Sequence, residues 1–161
     1  MIHIFITGGT FDKSYDCING ELFFEKTHLP EMLERSRCKL DVEVETLMMI
    51  DSLDIKPADV KKIVTKCKNS KYKRIVITHG TDTMVNTAEA IAKEELDKTV
   101  VITGALIPYE FGSSSDGFFN LGCALSFVQT FEKGVYIAMH GKYFNWNEVK
   151  KNKEKGVFEK K

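Results

Sequence analysis

Thr10 and Thr81 each follow a glycine at the end of a short apolar run: IHIFI then TGGT for the first, RIVI then THGTDT for the second. A threonine hydroxyl is a weak nucleophile at its free pKa. A threonine enzyme must therefore set a base beside the hydroxyl and donors where the oxyanion forms. Asp82 adjoins Thr81, Tyr15 lies in the segment after Thr10, and the tail from residue 150 is rich in lysine. A lysine buried near an Asp and a Thr can have its pKa lowered enough to accept a proton. That constellation suits acyl transfer on a small polar substrate. Gly9 and Gly80 let the backbone turn sharply or approach a ligand closely. Two plainer readings stay open beside this one: Thr81 or Asp82 as a helix cap, and Tyr15 as a surface residue of a hairpin.

The elements that must position these groups follow from apolar periodicity. Runs 2–6, 75–77, Thr99–Thr103 and Gly134–Met139 are short, apolar and rich in β-branched residues, as buried strands are, and 42–49 alternates as a strand does. Helical spacing marks 29–37 with Pro30 in its first turn, 57–68 with Val60, Ile63, Val64 and Cys67 on one stripe, 85–96, and 120–130. Segment 11–24 carries Asn19-Gly20, a hairpin or mobile-loop signal. Segment 106–119 holds Pro108, Gly112, three serines and Gly117, and is expected to be a loop. The tail from residue 150 is expected to be largely a solvated end, with Val157 and Phe158 docking. Strands alternating with helices predict an α/β fold: one three-layer domain over residues 1–161 with a mostly parallel sheet. The strand ends at Thr10, Ser52, Thr81-Asp82 and Gly104-Ala105 then share one sheet edge, where open α/β sheets bind ligands.

Composition narrows the function. A chain of 161 residues that is 43% hydrophobic has one domain's worth of core. Lys+Arg and Asp+Glu both number 23, so overall charge favours neither nucleic acid nor an anionic membrane, and a small neutral or zwitterionic ligand fits more easily. Cys17, Cys38, Cys67 and Cys123 contain no C-x-x-C and read as reduced thiols of a cytoplasmic protein. His3, His28, His79 and His140 show no metal-ligand spacing, and His79 reads as holding its turn by a backbone hydrogen bond rather than as a base. No apolar run approaches membrane-spanning length, and Met1 leads straight into the first strand with no basic leader segment. Neither the G-x-G-x-x-G spacing nor Gly-Lys-Ser/Thr follows the first strand, which weakens nucleotide or flavin binding.

ITGGTFD at the first strand end, IDS at the second, HGTDTM at the third, and ITGA followed by Pro, SDG and Asn resemble the bacterial L-asparaginase family. The resemblance runs in order over nearly the whole chain and is closest to short-chain members, which keep the large domain and lack the small C-terminal one. It implies an N-terminal asparaginase domain that hydrolyses L-asparagine to L-aspartate and ammonia by double displacement, with little action on L-glutamine and no metal or organic cofactor. Thr10 matches the primary nucleophile and Tyr15 the tyrosine that orients it. Thr81, Asp82 and a lysine match the second catalytic group. Lys151 fits that lysine best, with Lys150 as the adjacent alternative. Ser52 matches the serine on the substrate α-carboxylate, Asp82 also the partner of the α-amino group, and the Ala105 carbonyl a contact to the leaving amide. Gly9, Asp51 and Gly80 join Ser52 and Ala105 as substrate-binding candidates. Without a small domain, the amino end of the pocket must be closed by Asp51, Glu21 or a partner subunit, and a homodimer or homotetramer is expected. A non-catalytic amino-acid sensor on the same fold is the alternative.

Overall fold

The structure is a computed structural model and describes residues 1–161. Its centre is a six-stranded sheet of β1 (Ile2–Gly8), β4 (Val42–Ile50), β5 (Arg74–Thr78), β6 (Thr99–Thr103), β7 (Gly134–Met139) and β8 (Lys142–Asn145), in the order β4-β1-β5-β6-β7-β8. The first five strands of that order are parallel and β8 is antiparallel to β7. A small hairpin, β2 (Ser14–Asp16) with β3 (Glu21–Phe23), follows β1, and a second, β9 (Val149–Asn152) with β10 (Val157–Lys160), closes the chain.

Alternation along each strand sends side chains to opposite faces and builds two cores. On one face Phe5, Ile75, Ile77, Val100, Ile102 and Ile137 meet Ile63 and Cys67 of α2 (Pro57–Asn69) and Met84, Ala88 and Ile91 of α3 (Met84–Ala92). On the other, Ile4, Ile6, Val76, Val101 and Ala138 meet Leu29 and Met32 of α1 (Leu29–Arg35) and Leu121, Ala124 and Val128 of α4 (Gly117–Thr130). The result is the expected three-layer α/β domain. Cys67 sits deep in the first core, where burial pushes its thiol up to about 12.

Three local expectations differ from the structure. The helix expected over 85–96 ends at Ala92, because Glu94 and Glu95 have no core to face and Glu95 adopts a positive φ of 48°. Segment 106–119 is not all loop. Tyr109–Ser114 forms two short 3₁₀ turns kinked at Gly112, and α4 begins at Gly117. The tail is more ordered than a largely solvated end: Phe158 docks as expected, Val149 joins it in the first core, Val157 is half-buried, and residues 149–160 form the β9–β10 hairpin. Apolar burial at two positions is enough to order an otherwise basic segment.

Candidate active site

β1, β4, β5 and β6 are parallel, so they end together at one edge. After β1, Gly9 takes a φ of 73° and Thr10 opens a short 3₁₀ turn. A side chain at Gly9 would lie 2.4 Å from the Gly80 Cα, and one at Gly80 would lie 2.4 Å from the Ser52 Cβ. Glycine is required at both because the Gly80 backbone and the Ser52 side chain fill the space a Cβ would need. This stacking gathers the segments that carry Thr10, Ser52 and Thr81. Thr83 ties two of them together by donating its hydroxyl to the Ser52 carbonyl over 3.0 Å.

The centre of the site is a lysine from the end of the chain. Lys151 on β9 places Nζ 2.8 Å from Thr81 Oγ1 and 2.8 Å from Asp82 Oδ1. Its side chain is only 16% exposed, and Lys153 stands further off at 3.9 Å from the same carboxylate. Lys150 points the other way, as neighbours on a strand must, to Glu159 at 3.5 Å with 55% of its side chain exposed. Lys151, not Lys150, therefore reaches the threonine. With Lys151 donating to the Thr81 oxygen, the Thr81 hydroxyl keeps its own proton free for another acceptor.

The remaining candidates are placed as follows. Thr10 is half-buried, and its hydroxyl makes no hydrogen bond within the protein. Ser52 and Ala105 are buried at the ends of their strands. Asp51 accepts the Leu53 N–H over 3.0 Å and pairs with Lys13, whose ammonium holds the Asp51 carboxyl below its ordinary range. That pairing leaves the Asp51 carboxylate already matched by a cation. Glu21 is exposed on β3. Tyr15 lies on the β2–β3 hairpin, 46% exposed, with its N–H donated to the Glu110 carboxylate and its ring 6.1 Å from that of Phe111. No hydrogen bond joins Tyr15 to Thr10, so the structure brings together Thr81, Asp82 and Lys151 but leaves Tyr15 on a neighbouring flap.

Several supporting residues drew no role from the sequence, although Asp12, Asp116 and Asn120 fall within its motifs. Lys13 is one. Asp12 is another: fully buried at the end of the turn that Thr10 opens, it accepts the His28 N–H and the Thr27 hydroxyl, each over 2.9 Å, while burial pushes its carboxyl up. Asn120 and Asp116 brace the Ala105 loop. Asn120 Nδ2 donates to the Gly104 carbonyl and to Asp116, each over 2.9 Å, and Asp116 accepts the Leu106 and Ile107 N–H groups over 3.0 Å. An Asp and an Asn four apart at a helix start could have been read as such a brace.

His79 is structural. Its Nδ1 donates to the Gly80 carbonyl over 2.8 Å, which leaves Nε2 to accept the Thr87 hydroxyl at 2.9 Å. Full burial lowers its pKa to about 4, against about 6.5 in an unfolded chain. The unfolded chain thus takes up a proton near pH 6.5 and the folded one does not until about 4, so this stabilisation is complete above 6.5 and is lost as pH falls through that window. The gap in unfolding free energy between wild type and His79→Asn, measured by urea titration, should narrow by about 3 kcal/mol from pH 7 to pH 4. A constant gap would mean that His79 has the same pKa in the folded and the unfolded chain.

No three His, Cys, Asp or Glu side chains gather as a metal-ligating group, and no helix is long and apolar enough to cross a membrane.

Known proteins resemble this chain in sequence and fold. L-asparaginase 1 of Escherichia coli (strain K12) is 35% identical over 133 residues, covering 77% of this chain and 39% of that protein. A glutamyl-tRNA(Gln) amidotransferase component of Pyrococcus furiosus is 33% identical over 151 residues, covering 87% of this chain and 33% of that protein. Among solved structures, the thermostable L-asparaginase from Thermococcus kodakarensis superposes with a TM-score of 0.83 at 28% identity, over 99% of this chain and 50% of that one. The chain thus spans half or less of the length of the relatives it matches. Because the model of the asparaginase N-terminal domain matches residues 1–158, nearly the full length, the chain belongs to the asparaginase N-terminal family.

Proposed function

We propose that this chain is an amidohydrolase that converts L-asparagine to L-aspartate and ammonia through an acyl-threonine intermediate, with one domain of this kind supplying the catalytic groups. The observation that carries the reading is Lys151 Nζ, held 2.8 Å from both Thr81 Oγ1 and Asp82 Oδ1 at the edge where Thr10 and Ser52 also end. In this reading Ser52 takes the substrate α-carboxylate, Asp82 its α-amino group, and the Ala105 carbonyl the side-chain amide N–H. Thr10 Oγ bonds to the amide carbon and the C–N bond breaks. The Thr10 proton ends on the departing nitrogen, with Thr81 and Lys151 as carriers. Water then attacks the β-aspartyl ester along the same path and frees Thr10. No step calls on a metal or organic cofactor.

Preference for asparagine over glutamine follows from anchoring at both ends: one extra methylene pulls either the carboxylate or the amide off its partner. A second reading is favoured by the amidotransferase relatives: the same groups acting on a glutamine-type amide. Tyr15 is proposed to close over Thr10 when its flap folds in. A homodimer or homotetramer is proposed to complete the amino end, since Asp51 is already paired with Lys13.

The test is ammonia release from L-asparagine and L-glutamine over a wide concentration range. Saturable release from asparagine supports the proposal, release from glutamine alone moves it to the second reading, and no release from either, with L-aspartate still binding, leaves a sensor.

A further inference from the structure

The two-residue turn between β7 and β8 is His140-Gly141, with φ values of 59° and 73°. This is the type I′ pattern, for which Asn-Gly is the favoured pair. A histidine in the left-handed region costs more than an asparagine would, and such strain persists where surrounding contacts over-determine it.

Two contacts do so here. The His140 N–H donates to Asn120 Oδ1 over 3.1 Å, the same Asn120 whose amide holds the Gly104 carbonyl. The His140 ring reaches the end of the chain, where Nε2 accepts the Phe158 N–H over 3.1 Å with the two rings 6.0 Å apart. Phe158 is the register partner of Lys151 across the β9–β10 pair. Its N–H turns away from β9 toward His140, so the ladder itself does not hold that amide.

We propose that His140 is a positioning residue for Lys151: its unprotonated Nε2 pins β10 to the β7–β8 turn and thereby fixes the strand that presents Lys151 to Thr81 and Asp82. The proposal deepens the reading above and rests on it for its catalytic consequence. One chain of hydrogen bonds then links both sides of the site, from Gly104 through Asn120 and His140 to Phe158.

An acceptor Nε2 requires neutral imidazole with its proton on Nδ1. The charged groups acting on the ring are the Asp116 carboxylate at the start of α4, which raises its pKa, and Lys142 on β8, which lowers it. Burial is the largest influence and holds the imidazole below its ordinary range. The bond is therefore intact at neutral pH. It is lost as pH falls through that lowered value, when two N–H groups would face each other.

Two variants separate this role from a turn-only role. His140→Asn suits the left-handed turn better than histidine but is too short to reach Phe158. His140→Gln suits the turn less well but carries an acceptor at the distance of Nε2 that does not titrate. His140→Asn should lower kcat for L-asparagine by about tenfold with little change in KM, because a misplaced catalytic group costs rate rather than binding. His140→Gln should recover most of that loss and remove the part of the acid limb that belongs to His140. Amide exchange at Phe158, read by NMR on the full chain, should quicken by about tenfold in His140→Asn and stay slow in His140→Gln. Lysine placement is read by the Thr81 and Lys151 amide shifts, which should move together with that of Phe158 as the wild type is acidified. His140→Asn matching or outperforming His140→Gln in kcat, or Phe158 exchange unchanged in His140→Asn, would overturn the proposal. If the wild type releases no ammonia, the catalytic reading fails by itself. The Phe158 exchange and the joint shift of Thr81 and Lys151 then still decide whether His140 positions the lysine.

Discussion

Replacing Lys151 with methionine should lower ammonia release from L-asparagine by about 10³-fold, the range a positioned proton carrier supplies, while Lys150→Met should stay within about twofold. The two residues are adjacent and chemically identical, so geometry alone separates them. Lys151 is the partner of Thr81 and Asp82 at 2.8 Å each, and Lys150 sits on the far face with Glu159. Methionine keeps the unbranched stem and its packing, so the fold should survive. Asp82 loses its partner but is 28% exposed and still has Lys153 at 3.9 Å, which limits the cost of leaving it unpaired. Steady-state kinetics with a thermal melt on the same samples would check this. A larger loss in Lys150→Met would mean that β9 presents its other face to substrate and that the register with β10 is shifted by one residue.

Thr10→Ala should abolish turnover, by about 10⁴-fold or more, and should leave no covalent intermediate. Thr81→Val should also be severely slowed, yet should still form a β-aspartyl adduct on Thr10 that mass spectrometry can map. The two hydroxyls differ in how they are engaged. Thr81 is buried and accepts from Lys151, which suits a proton carrier. The Thr10 hydroxyl has no partner within the protein and stands half-buried on a turn beside Gly9, which suits attack on a bound substrate. Neither substitution touches the core, so unfolding free energies should stay within about 1 kcal/mol for Thr10→Ala, which loses no hydrogen bond. An adduct mapped to Thr81 in the Thr10→Ala protein would exchange the two roles.

Short apolar runs rich in β-branched residues mark the central strands directly. Thr99–Thr103 matches its strand residue for residue, and 75–77 falls inside β5, with Ile75 and Ile77 on one face and Val76 on the other. Such strands are legible because burial on both faces demands apolar side chains at every position. The glycine turns after β1 and β5, with Thr10 and Thr81-Asp82 beyond them, were legible for the same local reason, since a parallel sheet puts its strand ends at one edge. The capping alternative for Thr81 and Asp82 is answered by contact: α3 starts after Thr83 with no side-chain cap, and both side chains are held by Lys151 instead.

In the tail the docking of Phe158 was expected and the family resemblance favoured Lys151, but its strand pairing carried no local signal. Its lysines follow no period, and its order comes from Val149 and Phe158 entering a core built by strands far earlier in the chain. The choice of Lys151 over Lys150, the pairing of Asp51 with Lys13, and the bond from Phe158 to His140 all join residues 18 to 70 positions apart. Local propensity encodes which stretch becomes strand, helix or turn. Contacts across such separations exist only after the sheet has assembled, and it is the pleat of β9 against β10 that decides which lysine meets Thr81.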